Sequence, residues 1–175
     1  MLDGWHEFYG LLGTAAAALL ALLFVAASIG ATVFTAESSG ATSTFMSPVV
    51  FHYSNIMFLS LVALIPTQTW ESFGLVLLVA ATASAIYSIF IMYRLIHNDI
   101  ADFGDRLAYG LVPVVAYVTG LYAAYLILNE SKAGLEVLAG DALALLVVNI
   151  RNAWDLMISL ARKSNEVRLS EKSDS

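Results

Sequence analysis

Long apolar runs broken only by short polar segments dominate this chain. About 20 such residues in a helix span the roughly 30 Å hydrocarbon core of a bilayer. Backbone N–H and C=O groups find no water there, and a helix closes its hydrogen bonds within the segment, so apolar runs of this length read as spanning helices. They extend over Phe8 to Phe34, Pro48 to Pro66, Leu75 to Ile96, Leu107 to Leu128 and Leu135 to Ala161. The expected fold class is therefore all-α, an integral membrane helical bundle with about five transmembrane helices. Composition agrees: 59% of residues are hydrophobic, 13% are charged and the mean hydropathy is +0.79, outside the range of soluble domains. Five spans with their connections use nearly all of the 175 residues, so one domain over 1–163 is expected, with no room for a second.

The boundaries differ in clarity. Asp3, His6 and Glu7 precede the first run without a Lys or Arg, so it lacks the basic start of a cleaved signal peptide and reads as a retained span. A polar, small-residue break covers Thr35 to Ser47, and Pro48 follows it where a helix start tolerates proline. The fifth run is interrupted by Asp141, Asn149, Arg151, Asn152 and Asp155. It reads either as a complete span leaving the membrane at Arg162 and Lys163, which is preferred, or as a span that ends in a surface helix. Residues 164–175 mix charge with serine and carry too little apolar surface to fold, which predicts a disordered tail on the cytoplasmic side.

Cytoplasmic loops carry the excess of Lys and Arg. In a five-span topology Lys132 is the one such residue on the N-terminal side. Arg94, Arg106, Arg162, Lys163, Arg168 and Lys172 all fall on the other. This predicts an external N-terminus and a cytoplasmic C-terminus, and a four-span topology would destroy the segregation. Trp5, Tyr9 and Trp70 at the outer ends fit an aromatic belt. The 8 Lys and Arg form no basic stripe with interleaved aromatics, which argues against nucleic acid as a partner.

An ionisable group near the centre of a membrane helix costs about 2.5–3.5 kcal/mol or more, so it needs a partner or a purpose. At 100° per residue, Asn149, Asn152, Asp155 and Ser159 share an arc of about 120° on segment five, with Asp141 on the same side. Arg151 lies at its edge, four residues before Asp155, a spacing suited to an ion pair. His52 and Asn55 in span two and Arg94 at the end of span three join them in a predicted polar cluster in the cytoplasmic half. Two roles fit this cluster. One is interhelical hydrogen bonding, with Arg94 reaching to the interface. The other is a pathway for a proton, ion or small solute, with His52 or Asp155 titrating. Gly13, Ala17 and Ala21 in span one, and Ala81, Ser84 or Ala85, and Ser88 in span three, are small-residue faces suited to close packing. Tyr109, Tyr117, Tyr122 and Tyr125 read as packing and interfacial residues of span four.

No HExxH, GxSxG, Walker A or dinucleotide fingerprint occurs. Zero cysteines exclude disulfides, thiolate metal sites and cysteine nucleophiles. Asp141 and Asp155 stand about 21 Å apart along one helix at 1.5 Å per residue, too far for an aspartyl dyad. His97, Asp99, Asp102 and Asp105 lack the spacing of a metal site and read as a solvated acidic loop. A non-enzymatic chain without cofactor or resident metal is expected.

The stretch from Trp5 to Ile29, WHEFYGLLGTAAAALLALLFVAASI, combines a Trp-x-x-Phe start, an alanine-rich first span and a Leu-Phe-Val-Ala-x-Ser segment over Leu23 to Ser28. It resembles the opening of a group of small bacterial multi-pass proteins, some labelled "modulator of FtsH protease". The resemblance covers about 25 residues and brings no functional residue set. It implies an accessory or regulatory protein of the bacterial inner membrane, with a membrane protease among its partner classes. The small-residue faces suggest copies of the chain itself as another. The alternative expectation is an oligomeric channel or transporter subunit built on the polar cluster.

Overall fold

A computed structural model describes residues 2–30, 39–97, 104 and 106–173. After a 3-10 turn at Asp3–Trp5 the described residues form the helices α1 (His6–Gly30), α2 (Ser39–Ala63), α3 (Trp70–His97), α4 (Arg106–Leu128) and α5 (Ala133–Ser173). No strand occurs among the described residues, and the expected all-α membrane-type bundle is what forms. Among the described residues four stretches are long and apolar enough to cross a bilayer: His6–Ser28, Trp70–His97, Arg106–Leu128 and Ala133–Ile158. The fifth, Ser47–Ala63 of α2, is apolar but shorter.

Two expected boundaries are corrected. Helix α2 begins at Ser39, so Pro48 lies inside it and not at its start. Proline there removes one backbone bond, a loss that packing against neighbouring helices absorbs in bundles of this kind, and Pro48 is fully buried. Helix α5 continues to Ser173, through the segment predicted to be a disordered tail. Extending a helix already nucleated adds one bond per residue fixed, so polar composition alone does not stop it.

Local chemistry sets the other ends. Thr69 and Ser72 form a reciprocal cap at the start of α3, with Thr69 N–H donating to Ser72 Oγ (3.0 Å) and Ser72 N–H to Thr69 Oγ1 (3.1 Å). Glu71 in that first turn complements the helix dipole. Helix α4 opens with a π turn, Arg106–Leu111, immediately before Pro113, whose missing N–H leaves the regular ladder incomplete at that point.

The α4–α5 hairpin closes through a Schellman-type cap. Ser131 N–H donates to Leu126 O (3.0 Å) and Glu130 N–H to Ile127 O (2.9 Å). This requires Glu130 to adopt φ 56°, a conformation that costs a side-chain-bearing residue about 1–2 kcal/mol. Glu130→Gly removes that strain while adding some unfolded-state entropy, so we expect a net stabilisation of about 0.5–1 kcal/mol in thermal unfolding. No gain would mean that the turn is not held in this conformation.

Helices α2, α3, α4 and α5 surround the centre, and α1 packs from outside on α2 and α5. Gly13 lets α1 approach α2 closely: a Cβ there would stand 2.8 Å from that of Ser60. Ala81, Ser84, Ala85 and Ser88 of α3 are all buried, as an intramolecular packing face requires. The outer surface carries Leu11, Val79, Val147 and Trp154, each more than 60% exposed. Such a contiguous apolar exterior suits lipid and not water.

Candidate functional site

The four central helices bring their polar side chains together at mid-length. Tyr117 is the central residue of α4 and Ser84 lies near the middle of α3. From α2, the Asn55 amide donates to Ser84 Oγ and, at 3.4 Å, to the Tyr117 hydroxyl. Ser84 passes its own proton to Ala80 O (2.7 Å). The Tyr117 hydroxyl lies 2.7 Å from His52 Nδ1. With that oxygen accepting from Asn55, the Tyr117 proton can point at Nδ1, the arrangement in which the imidazole carries its proton on Nε2. His52, Ser84 and Tyr117 are buried. The result is a directed chain of hydrogen bonds, Asn55 to Tyr117 to His52, linking α2 to α4, with Asn55 also reaching α3. In a bundle where lipid is as apolar as the helix faces, such bonds help decide how the helices associate.

A cavity of about 40 Å³ adjoins this network, bounded by Asn55, Ile56 and Leu59 of α2, Leu77, Ala80 and Ala81 of α3, Tyr117 and Gly120 of α4, and Leu138, Asp141, Ala142 and Leu145 of α5. That volume holds about two water molecules. Asp141 is its one carboxylate, close to α4 where Gly120 has no side chain: a Cβ there would lie 3.7 Å from Asp141 Oδ2. Asp141 also lines a groove of about 420 Å³ on the outside of the bundle, between Leu111, Val112, Val115, Ala116 and Thr119 of α4 and Gly140, Asp141 and Ala144 of α5. Asp141 thus borders both the interior and the lateral surface.

The predicted cluster of eight residues is not one cluster. His52, Asn55 and Asp141 gather around Tyr117 at mid-bundle. Asn149 and Asn152 are buried, but lie further along α5 in separate contacts. Asn149 donates to Leu145 O of its own helix (2.9 Å), and Asn152 donates to Ala108 O (3.2 Å). Tyr109 donates back to Asn152 O (2.7 Å), which ties α5 to the widened first turn of α4. The amide oxygens of Asn149 and Asn152 have no hydrogen-bond partner among the described residues. Arg151 and Asp155 do form the expected i,i+4 pair, at 3.6 Å, but with side chains 65% and 47% exposed. They belong to the surface and not to the interior stripe. Arg94 sits over the Phe90 ring, 5.9 Å from its centroid, near the end of α3. Of the acidic loop, His97 approaches Tyr93 O through Nδ1 (3.1 Å). Asp99, Asp102 and Asp105 lie outside the described residues.

Tyr117 and Ser84 complete the site without having been singled out for it. The signal for Tyr117 was its depth: a hydroxyl at the middle of a span needs a partner, whereas Tyr122 and Tyr125, nearer the end, are exposed. Among the described residues no group of three His, Cys, Asp or Glu is placed to hold a metal ion. No family model matches the chain, and no curated protein or solved structure is significantly similar to it.

Proposed function

We propose that this chain is a non-enzymatic, multi-pass protein of the bacterial inner membrane, with its N-terminus outside and C-terminus cytoplasmic. It acts as an accessory or regulatory subunit through helix contacts with another membrane protein, a membrane protease being one class, or with copies of itself. The observation that carries this reading is the outer side of α1. Thr14, Ala18, Ala21, Val25 and Ser28 are exposed and fall within about 80° of arc. The hydroxyls of Thr14 and Ser28 fold back onto Gly10 O and Phe24 O, both at 2.8 Å, so the strip presents little bulk and no unpaired donor. Leu11 and Leu22 flank it on one side and Phe24 on the other. A shallow strip of this kind lets another helix backbone approach closely. The one-sided distribution of Lys and Arg supports the orientation.

The test is Ala18→Leu with Ala21→Leu. Both positions face outward, so folding should be preserved while cross-linking to a partner or a second copy in native membranes falls several-fold. Recovery of a lone monomer from wild-type membranes would count decisively against the reading. A second reading, an oligomeric channel or transporter subunit for an ion or small solute, is supported by Asp141 bordering both cavity and groove. Ion flux through reconstituted protein is its test.

A further inference from the structure

The groove between α4 and α5 has a feature that packing does not require, a carboxylate among apolar side chains with its outer face open. Asp141 makes no ion pair or hydrogen bond among the described residues. The groups facing it are already occupied or inert. Thr119 donates to Val115 O (3.0 Å), Tyr117 is engaged with His52, Asn55 donates to Ser84 and Tyr117, and α3 offers only Leu77, Ala80 and Ala81. No Lys, Arg or His lines either the cavity or the groove. Burial without countercharge is costly, so a carboxylate so placed either holds its proton or takes up a cation.

We infer that this groove binds a small lipophilic ammonium ion that enters sideways from the bilayer, its cationic head on Asp141 and its apolar body between Val112, Val115, Ala116 and Ala144. The groove, at about 420 Å³, has the size of a small-molecule site and is apolar apart from Thr119 and Asp141. An inorganic cation fits poorly, because hard cations need about six oxygen ligands and one carboxylate stands here. An alkylammonium needs only one charge-assisted hydrogen bond and gains the rest by burying hydrocarbon. The assignment does not depend on what the strip on α1 contacts, and binding is read independently of any partner.

The full chain in phosphatidylcholine nanodiscs, titrated with the fluorescent alkylamine dansylcadaverine, tests the inference. Saturable binding above that of empty nanodiscs is expected. Asp141→Asn should weaken it by about tenfold or more, Asp155→Asn should leave it unchanged, and the neutral N-acetylated probe should not compete. Gly140→Leu, at a position where a Cβ meets nothing within 4 Å, fills the groove without removing the carboxylate. It should abolish binding in a protein that still elutes as the folded species, which keeps the test decisive if Asp141→Asn fails to fold. Lipid partition alone in the wild type, equal binding by Asp141→Asn, or effective competition by the acetylated probe would each overturn the site.

Discussion

Tyr117→Phe removes one oxygen and is expected to lower the stability of the bundle by about 2 kcal/mol. A typical hydrogen bond contributes only about 1 kcal/mol net, but leaving a buried polar group without its partner adds the desolvation cost of that group. Here the stranded atom is Nδ1 of His52, which is 2% exposed. Asn55 loses less, because its amide keeps Ser84. His52→Leu strands the Tyr117 proton in the same way and should cost a comparable amount. The double variant His52→Leu with Tyr117→Phe leaves neither group unpaired, so its cost should fall short of the sum of the singles by about 1–2 kcal/mol. Reversible unfolding in detergent, followed by circular dichroism, measures all three. Strictly additive costs would show that the two side chains do not interact.

That pair also marks how far the sequence could be read. His52, Asn55 and Asp141 stand out because a polar side chain in an apolar run is conspicuous whatever the fold. Tyr117 and Ser84 do not. Tyr117 shares its helix with Tyr122 and Tyr125, which face outward, and Ser84 is one of a series of small residues whose neighbours only pack. What separates them is the partner they meet, and a partner is a tertiary fact. Asp155 fails in the opposite direction. The buried face of α5 is centred between Asn149 and Asn152, and Asp155 lies about 60° beyond Asn152, far enough round to reach the surface. A sequence arc of about 120° was wider than the face it described. For the helices themselves, uninterrupted apolar length was sufficient, since in lipid the backbone has no alternative. The sequence misleads at Pro48, where proline marks a helix start although the helix begins earlier at Ser39, and beyond Lys163, where charge marks an end although the helix continues.

Two glycines of α5, Gly134 and Gly140, should respond to alanine with opposite signs. At Gly134 a Cβ would stand 2.8 Å from Ile127 Cγ1, 2.9 Å from Ile127 N and 3.0 Å from Ala123 O. Two of those three atoms belong to the backbone of α4, so no rotamer change relieves the clash and the helices must part where the hairpin is tightest. Gly134→Ala is expected to destabilise by about 2–3 kcal/mol, beyond any gain in helix propensity. At Gly140 a Cβ meets nothing within 4 Å. There only the backbone effect remains, and Gly140→Ala should stabilise by about 0.5–1 kcal/mol. The same unfolding measurement reads both variants. Opposite shifts show that α4 and α5 pack backbone to backbone at the hairpin end and leave the Gly140 face of α5 open. A stabilising Gly134→Ala would mean that the two helices do not approach there.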